Sequence, residues 1–136
     1  MHNETIHSLG KLLLRLSVGG LMLCHGIHKL THGMAPIKQM LAAHHLPVAL
    51  VYGVPVGEII APLLLILGIW SRLAGLVLSF NMGMAVFLAY GAAALNIDAH
   101  GGANAELALL YLFGGLAITC LGSGKFAVSG GAGTWN

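Results

Sequence analysis

Residues 73–95 read LAGLVLSFNMGMAVFLAYGAAAL, and no side chain in that stretch carries a charge. The run is longer than the roughly 20 residues a helix needs to cross the hydrocarbon of a bilayer. In hydrocarbon every backbone amide must find its partner within its own segment, so the stretch predicts a spanning helix. Strands of a membrane barrel would alternate polar and apolar side chains, and this segment does not.

The whole chain shares the character of that stretch. Of its 136 residues 57% are hydrophobic and only 7% are charged. So few charges cannot cover the surface of a water-soluble domain, for which about a quarter is usual. Lipid is the expected partner of that surface. The formal charge of +2 and the absence of a Lys/Arg cluster speak against nucleic acid.

Three further stretches read as spans, namely 9–28, 46–69 and 105–121, the last on the short side. Gly19, Gly20, Gly53, Pro55, Gly57 and Pro62 interrupt them. In a membrane bundle such small residues let backbones approach, and proline kinks are tolerated. The link Trp70-Ser71-Arg72 is so short that the spans on either side form an antiparallel hairpin. Between spans one and two, Pro36 suits a first helical turn, and Ile37, Met40, Leu41 and His44 recur at helical spacing. A short helix at the membrane interface is expected there, with an irregular loop as the alternative. The fold class is therefore all-α, a left-handed integral membrane four-helix bundle. Residues 1–8 form an N-terminal segment, 9–122 the membrane domain, and 123–136 a glycine-rich tail expected to be flexible.

Arg15 breaks the first apolar run and no cleavage site follows it cleanly, so that run is expected to be retained. Lys11, Arg15, Arg72 and Lys125 fall on one side of the membrane, and Lys29 and Lys38 on the other. The positive-inside bias favours both termini in the cytoplasm, and a bacterial inner membrane is the expected location. Cys24 and Cys120 then lie near opposite faces and cannot pair.

Arg15 and Glu58 are ionisable residues inside spans, which is costly unless each finds a partner or a cavity. Counted from the cytoplasmic side, they lie about 9 Å and about 16 Å deep, close enough to meet. Either they form an ion pair that fixes the register of spans one and two, or they are the polar floor of a ligand pocket. Arg15 snorkelling to the headgroups is a further alternative. Near the outer face, His25, His28 and His32 recur at i, i+3 and i+7, within about 60° on one helical face. With a carboxylate such as Glu106 they would suit Zn²⁺ or Cu²⁺. Asn81 is expected to bond across to a neighbouring helix.

Several local patterns resemble those of the DoxX family of small four-span membrane proteins. Leu14-Arg15-Leu16, Gly19-Gly20 and His25-Gly26-Ile27-His28-Lys29-Leu30 resemble the family's first span and its H-G-x-x-K-L ending. Glu58 stands where the family has a glutamate. Gly68-Ile69-Trp70-Ser71-Arg72 matches a G-x-x-[ST]-R link, and Gly102 with Glu106-Leu107-Ala108 resembles the start of the fourth span. Two departures occur near the end, where Ser123 replaces the proline of G-P-G and Ala127-Val128-Ser129 closes without the family's acid. The resemblance implies a link to quinone-dependent oxidoreduction, since the family is named after a subunit of that kind.

The expected function is thus a quinone- or redox-linked membrane component, an enzyme only as the membrane subunit of a larger oxidoreductase. Arg15 and Glu58 would form the floor of its pocket, Arg72 would anchor the hairpin, and His25, Lys29 and Glu106 would form the outer rim. The chain has no redox centre of its own, so a redox partner protein or a bound metal would have to supply the electrons. Two other classes stay open: a periplasm-facing copper- or zinc-binding protein using His25, His28 and His32, and a small transporter acting as a dimer, for which a homo-oligomer is expected.

Overall fold

A computed structural model describes residues 2–136; Met1, where the expected N-terminal segment begins, lies outside them. The main elements are α1 (His2–His32), α2 (Ala35–Ala43), α3 (Val48–Leu67), α4 (Ser71–Ala89) and α5 (Glu106–Leu121). The fold is an all-α helical bundle, and residues 2–8 are simply the first turns of α1. α1, α3 and α4 are each long and apolar enough to cross a membrane. α5 has 16 residues, about 24 Å of helix. It is held along α4 by Ser79 Oγ, which donates to Leu112 O at 2.9 Å, and by Thr119 Oγ1, which donates to Arg72 O at 3.1 Å.

The interior is small and apolar, with Val18 and Met22 of α1, Ala61 and Leu65 of α3, Leu78 of α4 and Ile118 of α5 at its centre. The exterior is apolar too. Phe80 is 73% exposed and Leu110 69% exposed. Water would not tolerate so continuous an apolar face, and lipid would. Trp70 and Trp135 are exposed at the end of the bundle where α3 turns into α4, and Tyr52 and Tyr90 are exposed at the opposite end. That is the aromatic placement expected at two membrane interfaces.

The third span ends at Ala89, six residues before the expected Leu95, because Gly91 adopts φ 52° and breaks the helix. The short helix between spans one and two is present as α2, with Pro36 in its first turn. The hairpin between α3 and α4 turns over Gly68, at φ 73° and ψ 38°, and Trp70, at φ 47°.

That tight turn leaves helix-end backbone groups without intrahelical partners. The expected flexible tail answers them instead of hanging free. Val128 N donates to Leu67 O at 2.9 Å, Ser129 Oγ to Gly68 O at 2.7 Å, and Arg72 N to Trp135 O at 2.9 Å. Trp70 N donates to Asn136 Oδ1 at 2.6 Å. Ser129 thus bonds the hairpin from a position where the acidic close of the resembled pattern is missing.

α1 and α3 run antiparallel at very close approach. A Cβ at Gly26 would collide with the carbonyl oxygen of Glu58, and one at Gly19 would lie 3.0 Å from the carbonyl oxygen of Pro62. Gly26 is therefore required by backbone contact. Gly26→Val is expected to cost about 1–3 kcal/mol through overpacking and to lower the unfolding temperature in detergent. Gly10→Ala, with nothing within 4 Å of the new Cβ, should be neutral or stabilise by up to about 1 kcal/mol. Equal effects of the two substitutions would contradict the register.

Candidate functional site

Glu58 lies on a widened turn. Residues Val56–Ile60 of α3 are π-helical between two prolines, Pro55 and Pro62. Pro62 has no N–H to give the carbonyl four residues back, which is that of Glu58, so the regular α-helical bond cannot form. Single π-turns of this kind re-aim a side chain and recur at functional sites. Here the turn sends the Glu58 carboxylate into the bundle, where the residue is 1% exposed.

Two donors meet one of its oxygens. Lys29 Nζ lies 2.5 Å from Glu58 Oε1, and Asn81 Nδ2 donates to the same oxygen at 3.2 Å. Glu58 Oε2 is buried and takes no hydrogen bond among the described residues. The Lys29 side chain remains 33% exposed. Its position follows from the helix geometry. Gly26 packs on the Glu58 backbone, and Lys29 lies three residues further on, about one turn along the same face.

The trio borders a cavity of about 760 Å³. Its walls are largely apolar, from Met22 of α1, Ile37 and Leu41 of α2, and Phe80 and Met84 of α4. Its other polar groups are His25, His28, Tyr90 and Tyr111, with the His25 ring set edge-on to Tyr111 at 5.8 Å. α2 forms part of the wall, so the interfacial helix belongs to the site.

The expected pairing of Arg15 with Glu58 does not occur. Arg15 is fully buried at the other end of the α1–α3 contact. Its Nη1 donates to Leu65 O at 2.7 Å and Ile66 O at 3.4 Å, and its Nη2 to Phe126 O at 2.7 Å. The first two are last-turn carbonyls of α3, where the helix dipole is negative and intrahelical donors are lacking. Arg15 therefore closes a helix end, fourteen residues along α1 from Lys29 and so about 21 Å away. It is not part of the cavity floor.

Glu106 stays apart from His25 and Lys29. It is exposed in the first turn of α5, where a negative charge suits the helix dipole, and it does not line the cavity. Arg72 ties the hairpin to its surroundings, with Nε donating to Asn136 O at 3.0 Å and Nη1 to Thr119 O at 3.2 Å. The three histidines of the expected metal face diverge. His28 and His32 stack on each other at 4.0 Å, whereas His25 turns to Tyr111. Among the described residues no three His, Cys, Asp or Glu side chains converge as a metal-binding group. The sequence reading paired Glu58 with the wrong cation. The spacing of Gly26 and Lys29, one turn apart, was the signal for the right one.

Removing one member of a buried ion pair is far more damaging than removing both. Lys29→Met is expected to lower stability by about 3–5 kcal/mol, and the double substitution Lys29→Met/Glu58→Leu to recover most of that loss. Thermal unfolding of the three proteins in one detergent checks this. A Lys29→Met protein as stable as the unsubstituted one would show that Lys29 does not compensate Glu58.

Comparison with known proteins agrees with the resemblance in the sequence. A family model described as DoxX matches residues 10–91. No curated protein and no solved structure matches the chain. The matched stretch runs from α1 through α4 and contains Arg15, Gly26, Lys29, Glu58, Arg72 and Asn81. The chain belongs to the DoxX family.

Proposed function

We propose that this membrane protein binds a quinone in the cavity beside Glu58 and serves as the membrane component of a redox assembly. The observation that carries the reading is the composition of the cavity, an apolar chamber of about 760 Å³ with one polar cluster in its wall. That volume lies within the range of small-molecule sites, roughly 300–1,000 Å³. The apolar walls suit a quinone ring and its isoprenoid tail, and a quinone would arrive from the bilayer without crossing water.

The hydrogen-bonding groups favour an acceptor ligand. An ammonium has three N–H donors and an amide nitrogen two. Lys29 gives one to Glu58 Oε1, and Asn81 gives one to the same atom. Donors remain on both, so a quinone carbonyl can be met without breaking the ion pair. A cationic substrate, as a small exporter would carry, would instead face Lys29. Reduction of the quinone to quinol takes two electrons and two protons. A partner protein carrying a redox group would supply the electrons, and the two protons would be taken up beside the polar wall that His25 and Glu58 form. The Lys/Arg bias orients the hairpin end toward the cytoplasm and the cavity toward the opposite leaflet.

The test is binding of a short-tailed ubiquinone or menaquinone to the purified protein, read by native mass spectrometry and by fluorescence quenching. Saturable binding is expected. Asn81→Leu and Lys29→Met should each weaken it roughly tenfold, the value of one lost charge-assisted or buried hydrogen bond. Failure of the unsubstituted protein to bind either quinone would overturn the proposal.

A further inference from the structure

At the far end of the bundle from the quinone cavity a second pocket, of about 420 Å³, lies between the start of α1, the start of α4 and the returning tail. Its charged side chains are Lys11, Arg72 and Lys125 against the one acidic side chain of Glu4, with His7 and Asn136 beside them. Three cationic side chains around one pocket is an unusual concentration in a chain with only 6 Lys and Arg residues.

These cations are only partly engaged by the protein. Lys125 Nζ donates to Thr5 Oγ1 at 2.6 Å and lies 5.2 Å from the Phe126 ring centroid. Arg72 uses Nε and Nη1 on the carbonyls of Asn136 and Thr119, and its Nη2 donates to none of the described residues. Lys11 Nζ makes no hydrogen bond or ion pair among the described residues, and its stem packs against the turn at Gly124. Glu4 is exposed and forms no ion pair with any of them.

The membrane level of the pocket follows from α1. Gly26 packs on Glu58, near the middle of the 20-residue α3. Lys11 is fifteen residues from Gly26, about 22 Å along the helix and beyond the roughly 15 Å half-thickness of the hydrocarbon core. Lys11 is therefore at the headgroup level of the hairpin end, with Trp70 and Trp135 exposed at the same end of the molecule. A guanidinium and two ammonium groups around a polar pocket at this depth match the charge and donor geometry of a phosphate. Basic pockets between membrane helices are a recurring way of holding anionic lipid headgroups.

We propose that this pocket binds the phosphate of an anionic phospholipid, held by Lys11, Lys125 and the free Nη2 of Arg72. The site is separate from the quinone cavity and does not depend on what that cavity holds.

The test reconstitutes the full chain in phosphatidylcholine nanodiscs with and without phosphatidylglycerol, and measures retained lipid by native mass spectrometry after mild delipidation. Preferential retention of phosphatidylglycerol is expected. Lys11→Gln/Lys125→Gln should reduce that preference at least roughly tenfold, each neutralised cation near the surface being worth about fivefold. Arg72 is left in place because its other nitrogens hold the hairpin. An unchanged unfolding temperature of the double variant confirms that the fold is intact. Equal retention of both lipids, or a preference the substitutions do not touch, would overturn the proposal. Inorganic phosphate, titrated in detergent without lipid, separates the two sources of the anion. Saturable phosphate binding with no lipid preference would overturn the lipid assignment in favour of a soluble phosphate.

Discussion

A carboxylate inside a membrane bundle is tolerable only beside a cation and further donors, and the contact between Glu58 and Lys29 meets that demand. Much of the fold follows from the geometry it requires. Lys29 reaches Glu58 because α1 and α3 touch backbone to backbone at Gly26. They touch there because α3 opens into a π-turn between its two prolines. Asn81 then draws α4 to the same oxygen. Three helices are thereby registered on a single atom, and the cavity is the space left above that junction and under α2.

The other end of the bundle solves a different problem. A hairpin turned in three residues caps its helices only in part with its own groups, Gly68 N and Ile69 N reaching Leu64 O. Arg15 supplies donors to the last carbonyls of α3 while Phe126 O accepts from its Nη2, and the tail supplies the rest through Val128, Ser129 and the segment at Trp135 and Asn136. Burying a guanidinium without a carboxylate looks costly, but its acceptors are carbonyls at the negative end of a helix, where they carry partial charge. A lipid-facing helix end could not be satisfied by water, so the chain has to satisfy it from within.

The spans, the short hairpin, the interfacial helix with Pro36 at its start and the cross-helix role of Asn81 were all legible in the sequence. Each rests on local composition or spacing. The partners of the two buried charges were not. Counting depth from estimated span ends gives an axial level and says nothing about the side chain's azimuth or the local helix width. Arg15 and Glu58 looked close by depth, yet α1 continues to His32 and the contact at Gly26 sets Glu58 level with its last third. The tail misled for a related reason. Glycine-rich composition suggests mobility only where no unpaired backbone is waiting, and the hairpin's orphan groups become visible only once the turn is built.

The two ends of α1 also differ in how their lysines are used. Lys29 lies within the bundle near the level of Glu58, Lys11 lies beyond the hydrocarbon at the hairpin end, and only Lys29 has an internal partner. At the cavity end the cation is turned inward, where a low dielectric strengthens its hold on Glu58 and leaves its spare donors pointing at whatever enters. At the hairpin end the backbone is already satisfied by Arg15 and the tail, so Lys11 and Nη2 of Arg72 are left to face outward. A helix pinned inward at one end and carrying an unpaired cation at the other resists sliding along the bilayer normal. Moving α1 toward the hairpin side would pull Lys29 from Glu58, and moving it the other way would bury Lys11 in hydrocarbon. The polar contacts at the cavity are in this sense held at their depth by the buried ion pair itself and by an interfacial charge at the hairpin end.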